Sequence, residues 1–240
     1  MEISQMRIEG EAIILSRKKS SEGSLLITLL CKEHGIRRGF SKISSRSQSA
    51  TEVGSLVHYC ANYKETSKFL SISKLELNKS YSLFFLDNTR EFYKVLYVLG
   101  LLEHIFKENQ GDSSLYDIII KFCESLPNNI TDLILLELKI LALSGFGLDL
   151  RRCSATNTSQ NLAYISPKTG GALSYEYGNK FEDKLFRLPK WLISNEKPSM
   201  EDLDYTAKIT QFFLNRYFFI NSSESLSNYR KNVFDSLVVG

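Results

Sequence analysis

The side chains best suited to chemistry in this sequence are the cations concentrated between residues 17 and 46. Eight cations face two glutamates in this segment: Arg17, Lys18, Lys19, Lys32, Arg37, Arg38, Lys42 and Arg46 against Glu22 and Glu33. A concentrated positive region attracts phosphate groups and releases their counterions. The pattern therefore predicts a polyanion-binding surface. The alternative is a solvated, lysine-rich rim that keeps exposed strand edges from pairing with other chains.

The positive charge is local. Residues 1–80 carry 13 Lys and Arg against 8 Asp and Glu, whereas the remainder carries 17 against 19. Because the whole chain has a net charge of only +3, the excess in the first third is not a property of the average composition. We therefore expect the polyanion site in the N-terminal part.

One run inside this region places an aromatic ring among cations. Strict strand alternation puts Arg38, Phe40 and Lys42 on one face. If that face meets solvent, Phe40 is an exposed ring of the kind that stacks on unpaired bases. Alternatively, Gly39 marks a bulge that returns Phe40 to the core. Tyr59 and Tyr63 lie on the same face of the next run, because they are an even number of residues apart. They either extend such a surface or pack inward.

Catalytic signatures are missing from the sequence. It contains no GxxxxGK[ST] loop, no GxGxxG after a strand, no HExxH and no GxSxG. The histidines His34, His58 and His104 are far apart, and no pair of carboxylates stands out for acid and base roles. The sequence therefore predicts a protein that is not an enzyme and needs no cofactor.

The composition favours a protein of the cytoplasm. No stretch approaches the ~20 apolar residues that span a bilayer, and the first ten residues lack the apolar core of a signal peptide. Cys31, Cys60, Cys123 and Cys153 are widely spaced, which predicts free and mostly buried thiols rather than a disulfide framework. We expect no membrane partner.

The elements that must position these residues change class near residue 80. Five strand-like runs precede it: Ala12–Leu15, Leu25–Leu30, Ile36–Ile43, Val53–Tyr63 and Lys68–Leu77, the last with a parity shift that predicts a bulge near Ser73. Five short strands with turn chemistry between them predict an OB-type barrel, with an SH3-like barrel as the competitor. The fold class predicted is α+β.

The rest of the chain has helical periodicity. Helices are predicted from Thr89 to about Lys107, Leu115 to Leu126, Leu133 to Leu143, Met200 to Ile220 and Glu224 to Leu237. A loop-rich stretch separates the third helix from the fourth. We therefore predict a barrel domain over residues 1–80 and a mainly helical domain over 81–240, with the loop at about 149–180.

Two segments of the sequence carry a recognisable pattern. The central run ELKILALSGFGLDLRRC, residues 137–153, is followed by YISPKTGG at 164–171. Near the N-terminus, residues 22–38 contain a Glu-x-x-x-Leu-Ile-Thr run and a Glu-His-Gly turn. The central pattern resembles the recombination mediator family RecO, and the N-terminal one looks like the start of that family's OB domain. The resemblance spans nearly the whole chain.

The resemblance also implies a zinc site, which this sequence does not preserve. Many family members carry two CxxC pairs around this loop, but here Cys153 remains while Thr156, Ser174 and Tyr177 stand where the other cysteines would fall. A tetrahedral zinc site needs four N or S ligands. We therefore expect no metal, and a degenerate zinc-finger-like loop held by packing and backbone hydrogen bonds.

The resemblance implies a role in recombinational repair. Proteins similar to this one bind single- and double-stranded DNA, anneal complementary strands and, with RecR, help RecA replace single-strand binding protein, whose C-terminal tail they contact. The charge cluster assigns the predicted DNA contacts: Arg17, Lys19, Arg37, Arg38, Phe40, Lys42 and Arg46. The alternatives are an OB-fold RNA-binding module and a non-catalytic assembly scaffold.

Overall fold

The structure is a computed structural model that describes residues 6–20, 23–42, 48–64, 67–111, 113–194, 196–219 and 224–234. The chain forms two compact units, Met1–Pro127 together with Ser223–Gly240, and Asn128–Ser222. The first unit thus combines the barrel with the helices that directly follow it and with the last helix of the chain. The predicted domain division at residue 80, where strands give way to helices, stays a prediction.

Five strands form a closed barrel in the first unit. They are β1 (Met6–Lys19), β2 (Ser24–Cys31), β3 (Gly35–Lys42), β4 (Ser55–Tyr63) and β5 (Leu70–Ser80). The strand order is β1-β2-β3-β5-β4, with β4 pairing back to β1. All pairs are antiparallel except β3 with β5. This topology confirms the predicted five-stranded OB-type barrel and the α+β class.

Every second side chain of each strand fills the barrel interior, because alternate side chains of a strand point to opposite faces. On β2, Leu25, Ile27, Leu29 and Cys31 face inward and are buried. The predicted bulge near Ser73 is confirmed: the β4–β5 register passes from Ala61 opposite Ile72 to Cys60 opposite Lys74. The bulge reverses which of the alternating side chains of β5 face the barrel interior.

Seven helices occur in the described residues: α1 (Tyr81–Phe84), α2 (Thr89–Ile105), α3 (Ser113–Glu124), α4 (Ile130–Leu143), α5 (Tyr175–Gly178), α6 (Met200–Tyr217) and α7 (Glu224–Phe234). In the first unit, α2 packs on the outside of β1 and is capped by Asn88. The last helix, α7, packs along α2. None of the described helices is long and apolar enough to cross a membrane.

The second unit contains strands that the sequence did not predict. Three short strands, β6 (Leu162–Ile165), β7 (Ala172–Ser174) and β8 (Phe186–Arg187), form a small sheet in the order β7-β6-β8. They are two to four residues long, too short to produce a periodic pattern. The helices α4 and α6 pack together in this unit, where the Thr210 hydroxyl donates to Glu137 Oε2 at 2.6 Å.

Candidate nucleic-acid interface

Strand β3 runs through the predicted site without interruption. Its register with β2 is continuous, from Lys42 opposite Ser24 to Gly35 opposite Cys31, and Gly39 lies in register opposite Ile27. The proposed bulge at Gly39 is therefore wrong, and the strand alternates along its whole length. Arg38, Phe40 and Lys42 consequently lie on the outer face of the barrel, with Phe40 at 39% exposure.

Glycine at position 39 follows from the close approach of β5. A Cβ added to Gly39 would lie 2.8 Å from Leu70 Cβ and 2.8 Å from the Leu70 carbonyl oxygen. Real Cβ atoms do not approach their neighbours so closely. A side chain at residue 39 would therefore push apart the parallel β3–β5 pair that closes the barrel.

A row of residues crosses the outside of the barrel through Phe40. The strand registers place Lys18 opposite Leu26, Leu26 opposite Phe40, and Phe40 beside Ser71. Residues directly opposite each other on adjacent strands have Cβ atoms about 5 Å apart. Lys18, whose side chain is 72% exposed, therefore belongs to the same outer face as Phe40.

A second ring lies against Phe40. Phe69 precedes β5, is 39% exposed, and has its ring centroid 5.2 Å from that of Phe40 with the planes tilted by 60°. The Ser67 hydroxyl donates to the Phe69 carbonyl (2.9 Å) and accepts from the Phe69 amide (3.2 Å), which holds the residue in place. We call Lys18, Arg38, Phe40, Lys42 and Phe69 the outer basic–aromatic face.

A carboxylate from α2 marks one border of this face. Ser16 Oγ donates to Glu103 Oε1 at 2.5 Å, and Lys18 Nζ is 3.9 Å from the same oxygen. The long, exposed Lys18 contact is weak, because solvent screens such pairs. Glu103 thus leaves the Lys18 ammonium available to another anion.

Arg37 points away from this face, into one end of the barrel. It lies opposite the inward-facing Leu29, and its guanidinium stacks 5.0 Å from the centroid of the Tyr63 ring. Its Nε has no hydrogen-bond partner among the described residues. The Tyr63 ring thus offsets part of the cost of placing this cation in the barrel.

The two tyrosines of β4 pack inward. Tyr59 is completely buried, and Tyr63 packs against the barrel core. Burial raises the pKa of the Tyr59 hydroxyl, and the neighbouring Cys31 thiol adds to the increase. Burial likewise raises the pKa of Cys31 to about 11. Of the two alternatives for these tyrosines, the inward packing is therefore correct.

Arg17 and Lys19 are separated from the outer face by a bulge in β1. The β1–β2 register passes from Ile14 opposite Leu29 to Ser16 opposite Thr28, so that Leu15 is unpaired and the parity changes. Arg17 and Lys19 then share the side of the inward-facing residues of β2, at the end of the barrel. Arg17 is already ion-paired there, with Glu52 Oε2 at 2.8 Å.

The predicted contact residues thus divide into three groups. The structure brings together Arg38, Phe40 and Lys42, and it places Arg37 at one end of the barrel and Arg17 with Lys19 on another face. Arg46 lies outside the described residues. Sequence reasoning missed Lys18, because the bulge is not visible as a pattern, and Phe69, because its proximity to Phe40 requires the parallel β3–β5 pairing.

The loop positions that correspond to the family's zinc ligands hold a donor set unsuited to zinc. Cys153 supplies one sulfur, whereas Thr156, Ser174 and Tyr177 supply neutral hydroxyls that are poor zinc ligands. Within the described residues, no three His, Cys, Asp or Glu side chains are grouped so that they could hold a metal ion. The residues present therefore do not fit a zinc ion.

The Cys153 sulfur lies among hydrogen-bond donors of its own loop. The residue is 2% exposed, and burial alone would raise its pKa, but hydrogen bonds from the Thr156 hydroxyl and from backbone amides of Ser174, Ala155 and Thr156 outweigh burial. Together they lower the pKa of the thiol to about 6. The Thr156 hydroxyl and the backbone amides thus favour the thiolate form of Cys153.

The other three cysteines, which also lie in the described residues, are free and buried like Cys153. This confirms the prediction of unpaired thiols.

A closed five-stranded barrel with this strand order is an OB-type fold, a class whose members commonly bind oligonucleotides or oligosaccharides. Two family models cover most of the chain: "Recombination protein O N terminal" matches residues 6–81, and "Recombination protein O C terminal" matches residues 89–218. The first match coincides with the barrel strands.

Curated relatives agree with the family models. A "DNA repair protein RecO" of Rickettsia bellii is 35% identical over 220 residues, covering 90% of this chain and 91% of its own. A "DNA repair protein RecO" of Rickettsia felis is 33% identical over 224 residues, covering 92% and 94%. The chain therefore belongs to the RecO family of DNA repair proteins, which confirms the resemblance found in the sequence.

Proposed function

We propose that this protein is a recombination mediator that binds DNA and catalyses no covalent reaction. It binds single- and double-stranded DNA, anneals complementary strands and, with RecR, helps load RecA onto DNA coated by single-strand binding protein. The observation that carries the proposal is the outer basic–aromatic face, found on the barrel of a chain that belongs to a DNA repair family.

The chemistry of the face supports sequence-independent binding. Lys18, Arg38 and Lys42 offer cations on the outside of a barrel, where they reach phosphates rather than base edges. Phosphate contacts position a nucleic acid without reading its sequence. A mediator that acts on any DNA needs this property.

Annealing follows from the same charges. Two complementary strands repel each other through their phosphates, and a positive surface screens that repulsion. Because the cations contact the backbone, the base edges stay free to pair. The resemblance to the RecO family adds the proposed partners, which are DNA in both forms, RecR, the C-terminal tail of single-strand binding protein and, indirectly, RecA. The proposed place of action is the cytoplasm.

Salt dependence of DNA binding tests the proposal. The triple variant Lys18→Gln, Arg38→Gln, Lys42→Gln is expected to flatten the slope of log affinity against log salt by about 0.7 for each lost phosphate contact with single strands. Fluorescence anisotropy of a labelled oligonucleotide at several salt concentrations measures the slope. The matched control replaces three exposed lysines elsewhere, Lys121, Lys180 and Lys208, by glutamine.

The remaining predicted cations that the structure describes form a second test set. Replacing Arg17, Lys19 and Arg37 by glutamine is expected to change the slope less, because these side chains lie off the outer face. Strand annealing of labelled complementary oligonucleotides should fall with the first set and not with the second. An unchanged slope and annealing rate in the first set would contradict the assignment, and a preference for single-stranded RNA over DNA would contradict the repair function.

A further inference from the structure

The outer basic–aromatic face contains two rings that its charge does not explain. Phe40 and Phe69 are each 39% exposed, and they meet on the outside of the barrel rather than in its core. Exposed aromatic rings keep apolar surface in contact with water, which is unfavourable for an isolated chain. Contiguous exposed apolar surface bordered by polar groups is typical of binding sites.

The geometry of the pair limits what it can bind. A base sandwiched between two rings needs the ring planes about 7 Å apart, since each stacked contact takes about 3.5 Å. The Phe40 and Phe69 centroids are 5.2 Å apart and their planes are tilted by 60°. The two rings therefore support each other, and the free face of one ring can accept a single flat ligand.

The backbones of both ring residues are fixed by hydrogen bonds. Phe40 lies within β3, in register between Leu26 of β2 and Ser71 of β5. Phe69 is fixed by the two hydrogen bonds of Ser67 with its backbone. Because the rings are already positioned, a ligand that stacks on them loses little free energy to ordering the protein.

Cations surround the pair on the same face. Arg38 and Lys42 stand two residues before and after Phe40, each about 7 Å away along the strand. Lys18 lies one strand beyond Leu26 in the same row. This arrangement, with an apolar ring flanked by positive groups, matches a nucleotide whose base lies between two phosphates of its chain.

We infer that the Phe40–Phe69 pair is a stacking site for one unpaired base, which makes the outer face selective for single-stranded over double-stranded DNA. The inference rests on the proposed DNA-binding function and adds strand selectivity to it. In a duplex each base face is covered by its neighbours, so the rings gain nothing from paired DNA. The cations contact the phosphates of either form.

The test compares the two forms of DNA with ring variants. Phe40→Ala and Phe69→Ala are each expected to weaken binding of a thymidine oligomer about tenfold to a hundredfold, the range of one lost base stack. Binding of a duplex closed by hairpins, which has no free bases at its ends, should change less than twofold. Phe84→Ala, which removes a ring that is 73% exposed on α1, is the matched control and should leave both affinities unchanged.

A second variant separates stacking from folding. Phe40→Trp keeps a ring and should bind the thymidine oligomer at least as well as the parent protein. Its new indole emission should be quenched on binding, measured against the parent protein, whose single tryptophan is the buried Trp191. Quenching with retained affinity would support the inference whether or not the alanine variants fold.

Two outcomes would overturn the inference. Equal loss of single-strand and duplex affinity in folded alanine variants would mean that the rings only shape the barrel surface. Unchanged affinity for both forms would mean that bases do not reach them. In either case the parent protein still binds DNA and the proposed function stands, whereas a parent protein that binds neither form contradicts that function as well.

Discussion

At the residue scale, Cys153 lies in a loop whose side chains form a donor set that does not fit zinc. In a zinc site a cation is surrounded by sulfur; here a single sulfur is surrounded by hydrogen-bond donors from Thr156, Ala155 and Ser174. Both arrangements join the segment after α4 to the small sheet of the second unit. Hydrogen bonds to a charged acceptor are stronger than neutral ones, so the thiolate form stabilises the loop more than the thiol.

The first prediction concerns pH. The pKa of Cys153 is about 6 in the folded protein and 9.0 in the unfolded chain. The thiolate's contribution to the free energy of unfolding is therefore complete above pH 9 and is lost as the pH falls through 6. Cys153→Ser should therefore destabilise the protein more at pH 8.5 than at pH 5.5, by on the order of 1–3 kcal/mol. Urea unfolding at both pH values measures the difference.

The matched control for this experiment is Cys123→Ala. Burial raises the pKa of Cys123 to about 12, so that thiol is neutral at both pH values and its replacement should have the same effect at each. An equal pH response of the two variants would contradict a thiolate at position 153.

The second prediction is that the purified protein contains no stoichiometric zinc, because the donor set of Cys153, Thr156, Ser174 and Tyr177 does not fit the ion. Inductively coupled plasma mass spectrometry measures bound metal directly. Addition of a chelator should leave the urea midpoint unchanged. Zinc at one equivalent per chain would show that other residues supply the ligands.

At the element scale, the β3–β5 pair closes the barrel and also supports the aromatic pair. It consists of three residue pairs, Gly39–Leu70, Phe40–Ser71 and Ser41–Ile72. Phe40 belongs to this short ladder, and Phe69 lies one residue before it. Closure of the barrel and the spacing of the two rings therefore depend on the same contact.

The third prediction follows from that dependence. Gly39→Ala should destabilise the protein by about 1–3 kcal/mol, because the added methyl group meets Leu70 and the strands must separate. Urea unfolding measures the loss. Ser71→Ala, an exposed change on the neighbouring strand, should stay within about 0.5 kcal/mol. If Gly39→Ala is equally mild, β5 does not approach β3 as closely as described.

Strand periodicity also explains which parts of the site could be predicted. The face shared by Arg38, Phe40 and Lys42 followed from the sequence, since β3 is regular. The side of Arg17 and Lys19 did not, because one unpaired residue, Leu15, reverses the alternation without any glycine or proline to mark it. The same alternation puts Arg37 on the opposite side of β3, but its stacking on Tyr63 could not be predicted, because that contact joins residues 26 positions apart in the chain.

At the scale of the whole molecule, the two ends of the chain belong to one compact unit. The last helix, α7, packs along α2, with Leu226 Cδ1 3.1 Å from the position that a Cβ on Gly100 would take. Tyr229 stacks on Tyr93 with ring centroids 5.8 Å apart. The unit that holds the barrel is therefore complete only when the end of the chain has been added.

The fourth prediction tests this contribution. Leu226→Ala should lower the free energy of unfolding by about 2–4 kcal/mol, because it leaves a cavity between α7 and α2. Lys231→Ala, an exposed change on the same helix, should have almost no effect. Calorimetry should show a lower transition temperature for Leu226→Ala alone. Equal transitions in both variants would mean that α7 adds no stability.

The unpaired Leu15 has a consequence for comparing relatives. A relative of equal length whose strand paired without this bulge would carry its counterparts of Arg17 and Lys19 on the outer side of the barrel and that of Lys18 on the inner side. A relative that simply lacked the extra residue would keep all three on the sides they occupy here. Lysines and arginines at aligned positions of β1 are therefore comparable between two members only when the bulge is shared or is matched by a gap.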